Sequence, residues 1–176
     1  ENNKKLIYND VRKFGFIKLY YFDDLKNSLH LRNLGPEPLT KYFHYNYLKK
    51  YLRKRKRSIK DILMDQKAVA GLGNIYANEI LFSSRVSPIR QANKLKNFEI
   101  KKIIHFTRKI LRHSIKSGGS SIKDFSSSNG KKGSFQQHFN VYGKKNETCS
   151  NRNCKNKISR STISNRSTFF CSKCQK

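Results

Sequence analysis

The sequence predicts an α+β chain made of a β-rich remnant, a helical middle and a small cysteine module. Three observations carry this expectation. KLIYND and GFIKLYYF, within residues 6–34, are rich in aromatic and branched side chains. Apolar residues then recur at helical spacing through the central part of the chain. All four cysteines stand between positions 149 and 174.

The elements follow in order. NDVRKFG supplies turn residues between the two aromatic runs, so residues 6–34 read as the end of a β-structure. Two strands alone do not make a stable sheet in water, which implies further strands to pair with them. LGPEPLT is a punctuated linker, with Pro36 and Pro38 holding it extended and Thr40 as the expected N-cap of the next helix. That helix runs through KYFHYNYLKKYLRK, with Phe43, Tyr47, Leu48, Tyr51 and Leu52 on one face. SIKDILMDQ reads as a second, short helix capped by Ser58, with Asp61 in its first turn. AGLGN breaks it, and NIYANEILFSS starts a third helix with Asn74 as the expected cap. The longest helix is NFEIKKIIHFTRKILRHSIKSGG. Its apolar face is Ile100, Ile103, Ile104, Thr107, Ile110, Leu111 and Ile115, and Gly118 ends it. FSSSNGKKGSFQQ is a Gly/Ser-rich loop that leads into the cysteine segment.

Charge narrows the function. Lys and Arg number 39 against 11 acids, a net +28 in 176 residues. Such a surplus repels itself unless a polyanion relieves it, so nucleic acid is the expected partner. Lysine-rich coding bias inflates the basic count but does not explain the scarcity of acids. No apolar run reaches the length of a membrane span, and Gly and Pro are too few for a disordered linker protein. The first residue is Glu and no secretory signal pattern follows it, so the chain reads as a fragment or processed product. AGLGN alone is a weak phosphate-loop signal, because no GK[ST] follows. A helix start after such a turn nevertheless leaves backbone N–H groups unpaired and ready for an anion.

DQKAVAGLGNIYANEILFSSRVSPIR resembles the helix–two-turn–helix segment of the formamidopyrimidine-DNA glycosylases, bacterial repair enzymes that excise oxidised purines. The resemblance covers nearly the whole chain. NDVRKFG is similar to their DxRRFG turn, LGPEPL to their interdomain linker, GSFQQHFNVYGKKNETC to the approach to their zinc finger, and TFFCSKCQK to their C-terminus. The sister endonuclease VIII group shares the architecture, but VYG and CQK lean towards the formamidopyrimidine branch. The resemblance implies three domains. Residues 1–34 would end an N-terminal β-sandwich catalytic domain, residues 35–128 form a helix–two-turn–helix DNA-binding domain, and residues 129–176 form a lid loop and β-hairpin zinc finger.

The same resemblance implies the cysteines' role. The family pattern CxxC–x16–CxxC binds one structural zinc. Here Cys154 and Cys171 keep the x16 separation and Cys171–Cys174 keeps the knuckle, but Cys149 and Cys154 stand two residues further apart than the family has them. Structural zinc accepts two to four residues between paired ligands, so closure stays feasible. Lys155 replaces the usual glycine, which points to a weaker metal site. Disulfides or free buried thiols are the alternatives. CxxC is short for a structural disulfide, and a DNA-binding chain belongs in a reducing compartment.

Further roles come from the resemblance residue by residue. Phe14 matches the family's wedge, Arg12 the residue that bonds the base left behind, and Lys13 a phosphate-contacting arginine. Lys60 and Asn74 match positions that contact the lesion nucleotide and its phosphates, and Lys56 is a further DNA-contact candidate. Arg166 matches the finger arginine at the phosphate beside the lesion, the family's δ-elimination position. A guanidinium is a poor acid at neutral pH but a good phosphate fork, so the clamp role is expected. Residues 125–142 match the lid over the flipped base, with Gly130 and Gly133 giving mobility and Gln136 or Gln137 reading the base. The family's nucleophile is an N-terminal proline that forms a Schiff base, assisted by a neighbouring glutamate and a later lysine. None of these has a counterpart here, so the resemblance implies grip without the nucleophile. It also implies a monomeric, cytoplasmic, nucleoid-associated protein that binds double-stranded DNA carrying an oxidised purine or an abasic site. A non-catalytic zinc-containing duplex-binding module, an endonuclease VIII-like relative and an RNA-binding zinc protein are the alternatives.

Overall fold

The computed structural model describes residues 5–10, 13–120 and 133–176. The chain divides into two compact units, residues 1–33 and 34–176. Within the first, the two aromatic runs expected as strands form none; the one regular element among the described residues is a 3-10 turn, Leu25–Asn27. The physical reason is the lack of a partner edge, since an isolated strand pair is marginal in water. Asp10 organises the NDVRKFG turn. Its carboxylate accepts the Gly15 N–H at 2.6 Å, and its carbonyl accepts the Lys13 N–H at 3.1 Å. A side chain at position 15 would run into the Tyr8 hydroxyl, which explains the glycine there.

The second unit holds four α-helices and one hairpin: α1 Tyr45–Leu52, α2 Ile59–Met64, α3 Asn74–Ser84, α4 Asn97–Lys116, β1 Ser159–Ile163 and β2 Arg166–Phe170. The expected Thr40 cap moves to His44, whose ring accepts the Tyr47 N–H, so α1 starts four residues later than that cap implied. Thr40 instead turns its hydroxyl back to the Glu37 carbonyl. Ser58 caps α2 as expected, accepting from the Asp61 N–H at 3.1 Å and donating to the Asp61 carboxylate. For α3 the cap is Gly73, and Asn74 is the first helical residue, so its side chain is released for other work. Gly71, at φ +80°, makes the turn before it; Gln66 accepts the Gly71 N–H and donates to the Leu72 carbonyl.

One core lies among the four helices, built on Phe43, Leu48, Leu52, Ile62, Leu63, Ile80, Leu81 and Ile103. Each such side chain contributes roughly 1.5–3 kcal/mol by leaving water. α3 is the central helix, buried over Ala77–Phe82 and at Ser84, with Asn78 and Glu79 among its buried side chains. α4 buries Ile100, Ile103, Ile104 and Thr107, with Ile110 and Leu111 packed at the margin. Ile115, expected on that face, is 66% exposed because the helix outruns the core. A second cluster joins Phe82 of α3 to Val141, Ile158, Phe169 and the cysteines. It fastens the hairpin module onto the C-terminal half of α3.

Candidate nucleic-acid interface and metal centre

The site begins at the start of α3. Gly73 offers no side chain to the first-turn N–H groups, and no side-chain bond caps them. Next to this start, Asn74 Nδ2 donates to the Ser167 carbonyl at 3.0 Å. Lys60 of α2 reaches the same carbonyl at 3.3 Å and Thr168 Oγ1 at 2.6 Å, and it is fully buried. Burial pulls the Lys60 ammonium down to about 8, with the nearby Arg166 charge acting in the same direction and Asp61 opposing.

β1 and β2 pair antiparallel, with Ser161 opposite Thr168 and Ile163 opposite Arg166. Ser164 and Asn165 both take positive φ, a two-residue reversal that suits the hairpin's twist. Among the described residues the other edge of β2 meets no strand; side chains satisfy it. Lys60 and Asn74 cover the Ser167 carbonyl, and Asn78 Oδ1 accepts the Phe169 N–H at 2.7 Å. The effect is to hold Arg166, which is exposed, at the hairpin turn beside the open helix start. Lys60, Asn74 and Arg166 are thus brought together by one strand edge.

Below the hairpin lie Cys149, Cys154, Cys171 and Cys174, their sulfurs all within 4.8 Å of one another. The Cys149–Cys174 separation is 3.9 Å and Cys154–Cys171 is 3.7 Å. A tetrahedral site with metal–sulfur bonds of about 2.3 Å requires sulfurs about 3.8 Å apart, whereas a disulfide closes to about 2 Å. All four thiols are free, so the disulfide alternative is excluded and the donors fit a metal ion. The two extra residues between Cys149 and Cys154 fold into a local turn, with the Cys154 N–H on the Asn151 carbonyl, and do not push the sulfurs apart. Burial works against ionising Cys171, but N–H bonds from Cys174 and Lys173 bring it down to about 7. Burial pushes Cys149 up to about 12.

Sequence reasoning missed Glu79. It sits on α3, 2% exposed, and its carboxylate accepts the N–H groups of Asn140, Val141 and Tyr142 at 2.8, 2.9 and 2.9 Å. The Asn140 amide adds a fourth bond at 3.2 Å. A carboxylate among the apolar residues Ala77, Ile80, Leu81 and Phe82 of one helix was the available signal. Asn78 and Glu79 together join α3 to the hairpin and to the segment that precedes it.

The remaining candidates lie elsewhere. Arg12 falls outside the described residues, as do residues 125–132 of the expected lid, 125–142. Lys13 and Phe14 belong to the first unit, with Phe14 81% exposed. Lys56 is exposed on the loop between α1 and α2. Gln136 and Gln137 stand on a 3-10 turn, Phe135–His138, where Gln136 donates to the Gly133 carbonyl.

An open helix start flanked by a glycine turn, a basic hairpin edge and a four-thiol cluster define a helix–two-turn–helix protein with a cysteine-clustered hairpin module able to hold a metal ion. The family model "Formamidopyrimidine-DNA glycosylase H2TH domain" matches residues 34–126, and the chain belongs to the formamidopyrimidine-DNA glycosylase family. It is 44% identical over 169 residues to the formamidopyrimidine-DNA glycosylase of Neisseria meningitidis, covering 96% of this chain and 60% of that protein. The Roseobacter denitrificans enzyme is 38% identical over 175 residues, covering 99% and 62%. The chain thus spans about three-fifths of the length of these relatives. Among solved structures it is similar to Lactococcus lactis Fpg in complex with DNA containing an abasic site. That likeness has a TM-score of 0.86 at 36% identity, over 95% of this chain and 60% of that one.

Proposed function

We propose that these residues supply the DNA grip of a bifunctional DNA glycosylase/AP lyase that removes oxidised purines and cuts at the abasic site. The observation that carries this reading is the meeting of Lys60, Asn74 and Arg166 at the open start of α3. An unpaired helix N-terminus with two cations and an amide donor suits a backbone phosphate. In this reading the Ser167 carbonyl holds the place of a phosphate oxygen until DNA arrives. Arg166 acts as a phosphate clamp. Phe14 wedges the stack where the damaged base turns out, Arg12 bonds the base left opposite, and Lys13 and Lys56 neutralise flanking phosphates. The partner is double-stranded DNA with an oxidised purine or abasic site, bound by a monomer in the bacterial cytoplasm, on the nucleoid.

The metal is zinc, held by Cys149, Cys154, Cys171 and Cys174. Its contribution is structural: it fixes the base of the hairpin and so the direction of Arg166. In domain terms, residues 1–34 complete a β-rich domain, 35–128 read the duplex, and 129–176 form the lid and finger. Grip is assigned to this chain; excision is assigned to the whole protein.

Fluorescence anisotropy of the 176-residue chain on undamaged, 8-oxoguanine and abasic-analogue duplexes tests the grip. Phe14→Ala should erase the preference for damaged duplex while keeping general binding, and Arg166→Ala should weaken every duplex. Equal effects from both changes would remove the wedge assignment. Borohydride trapping on the 8-oxoguanine and abasic duplexes tests the chemistry: no adduct is expected, and an adduct on the 8-oxoguanine duplex would assign excision to these residues.

A further inference from the structure

One hollow in the second unit shares no residue with the interface described above. It is a groove of about 970 Å³ along α4, closed at one side by the start of α1. Lys101, Lys109, Arg112 and Lys116 line it, and its lining includes no acid. Ile104, Ile115 and Tyr45 add apolar surface, and Ile115 is 66% exposed. A smaller hollow lined by Glu37, Pro38, Leu39 and Leu111 shares Ile115 and continues the apolar strip, with Glu37 as its one acid. From Lys101 to Lys116 the helix rises about 22 Å.

We propose that this groove docks an acidic amphipathic segment of a partner protein. Charge complementarity gives the sign: a cationic wall with no carboxylate of its own in the lining calls for an acidic occupant. The apolar strip decides between acidic partners. A duplex phosphate ridge has nothing to place over Ile115 and Leu111, whereas the apolar side of an amphipathic helix does. A single strand would need free aromatic faces for its bases. Tyr45 does not offer them, because Lys49 and Lys101 each lie 5.5 Å from its ring centroid. The fitting segment carries acids on one side to meet Lys101, Lys109, Arg112 and Lys116, and apolar anchors to meet Leu111 and Ile115, about 6 Å apart along the helix. This assignment is independent of the DNA-grip reading.

The test uses the full 176-residue chain loaded with zinc and a fluorescent helix-forming peptide of about twenty residues, with glutamates on one face and two leucines four positions apart. A scrambled peptide, a glutamate-only peptide and a duplex of about twenty base pairs serve as comparisons. Anisotropy reads affinity, and the Ile115 δ-methyl resonance reads location. The expected result is at least tenfold preference for the patterned peptide, with a saturating Ile115 shift. Lys109→Glu with Arg112→Glu should abolish that binding while metal content and duplex affinity persist, which also shows that the variant is folded. No binding, or equal binding of all three peptides, overturns the proposal. Displacement of the peptide from Ile115 by the duplex also overturns it and makes the groove a nucleic-acid surface.

Discussion

Replacing Glu79 should loosen the whole hairpin module, and the size of the effect can be worked from its bonds. The carboxylate accepts three backbone N–H groups and one side-chain amide in a site it shares with fully buried Val141. A bond to a charged acceptor is worth about 1.5–3 kcal/mol, and each buried donor left alone costs about 1–3 kcal/mol. Glu79→Ala strands several donors at once, and partial rehydration recovers some of the loss, so about 3–5 kcal/mol is expected. Glu79→Gln keeps one acceptor oxygen for two of the N–H groups but turns an amide donor towards the others. It should cost about 1.5–3 kcal/mol. For a chain of this size each kcal/mol moves the midpoint by about 2–4 °C. Thermal unfolding gives the magnitudes, and amide exchange at residues 140–142 gives the location. Wild-type stability in both variants would refute the reasoning. So would losses of equal size with unchanged exchange at 140–142.

The other perturbations act at separate points. Lys60 is held down to about 8 in the fold against an ordinary value near 10.5, so the unfolded chain binds the extra proton between those values. Stability should therefore rise with pH across that window, while duplex affinity should fall as pH passes 8; Lys60→Met should flatten both trends in urea titrations and anisotropy. Elemental analysis should find one zinc per chain. Cys171→Ser should lose it and weaken duplex binding at least tenfold while far-ultraviolet dichroism keeps the helical signal, because the core of α1–α4 is separate from the thiol cluster. Gly71→Ala should cost about 1–2 kcal/mol through backbone strain at φ +80° alone, since the added methyl meets open space. Gly71→Asn should cost less, as denaturant midpoints will show.

Legibility in the sequence tracked how local each cause is. Ser58 was readable as a cap because its partner, Asp61, is three residues away. Thr40 had the right chemistry in the wrong place: His44 lies nearer the first turn that packs, and it took the role. Asn74 was expected as the cap, but Gly73 takes that place, and the Asn74 side chain is bound to Ser167, 93 residues on, a pairing no local pattern carries. The same distance problem hid Glu79, whose partners follow 61–63 residues later. The aromatic runs before residue 34 have strand composition but no ladder, since composition cannot supply a partner edge. Ile115 kept the helical period past the end of the core, where period no longer means burial. The grouping of the four cysteines was legible through the resemblance to the family pattern, and the wider Cys149–Cys154 spacing did not prevent it.

The central claim is that Arg166 and Lys60 meet a DNA phosphate at the start of α3. Its most direct test is the salt dependence of affinity for an abasic-analogue duplex, measured for the wild-type chain, Arg166→Ala and Lys60→Met. Each lost phosphate contact should lower the slope of log affinity against log salt by about 0.9. The account predicts that drop for Arg166→Ala, with Lys60→Met showing it only below pH 8. Slopes unchanged in both variants would contradict it and place the DNA elsewhere on this basic surface.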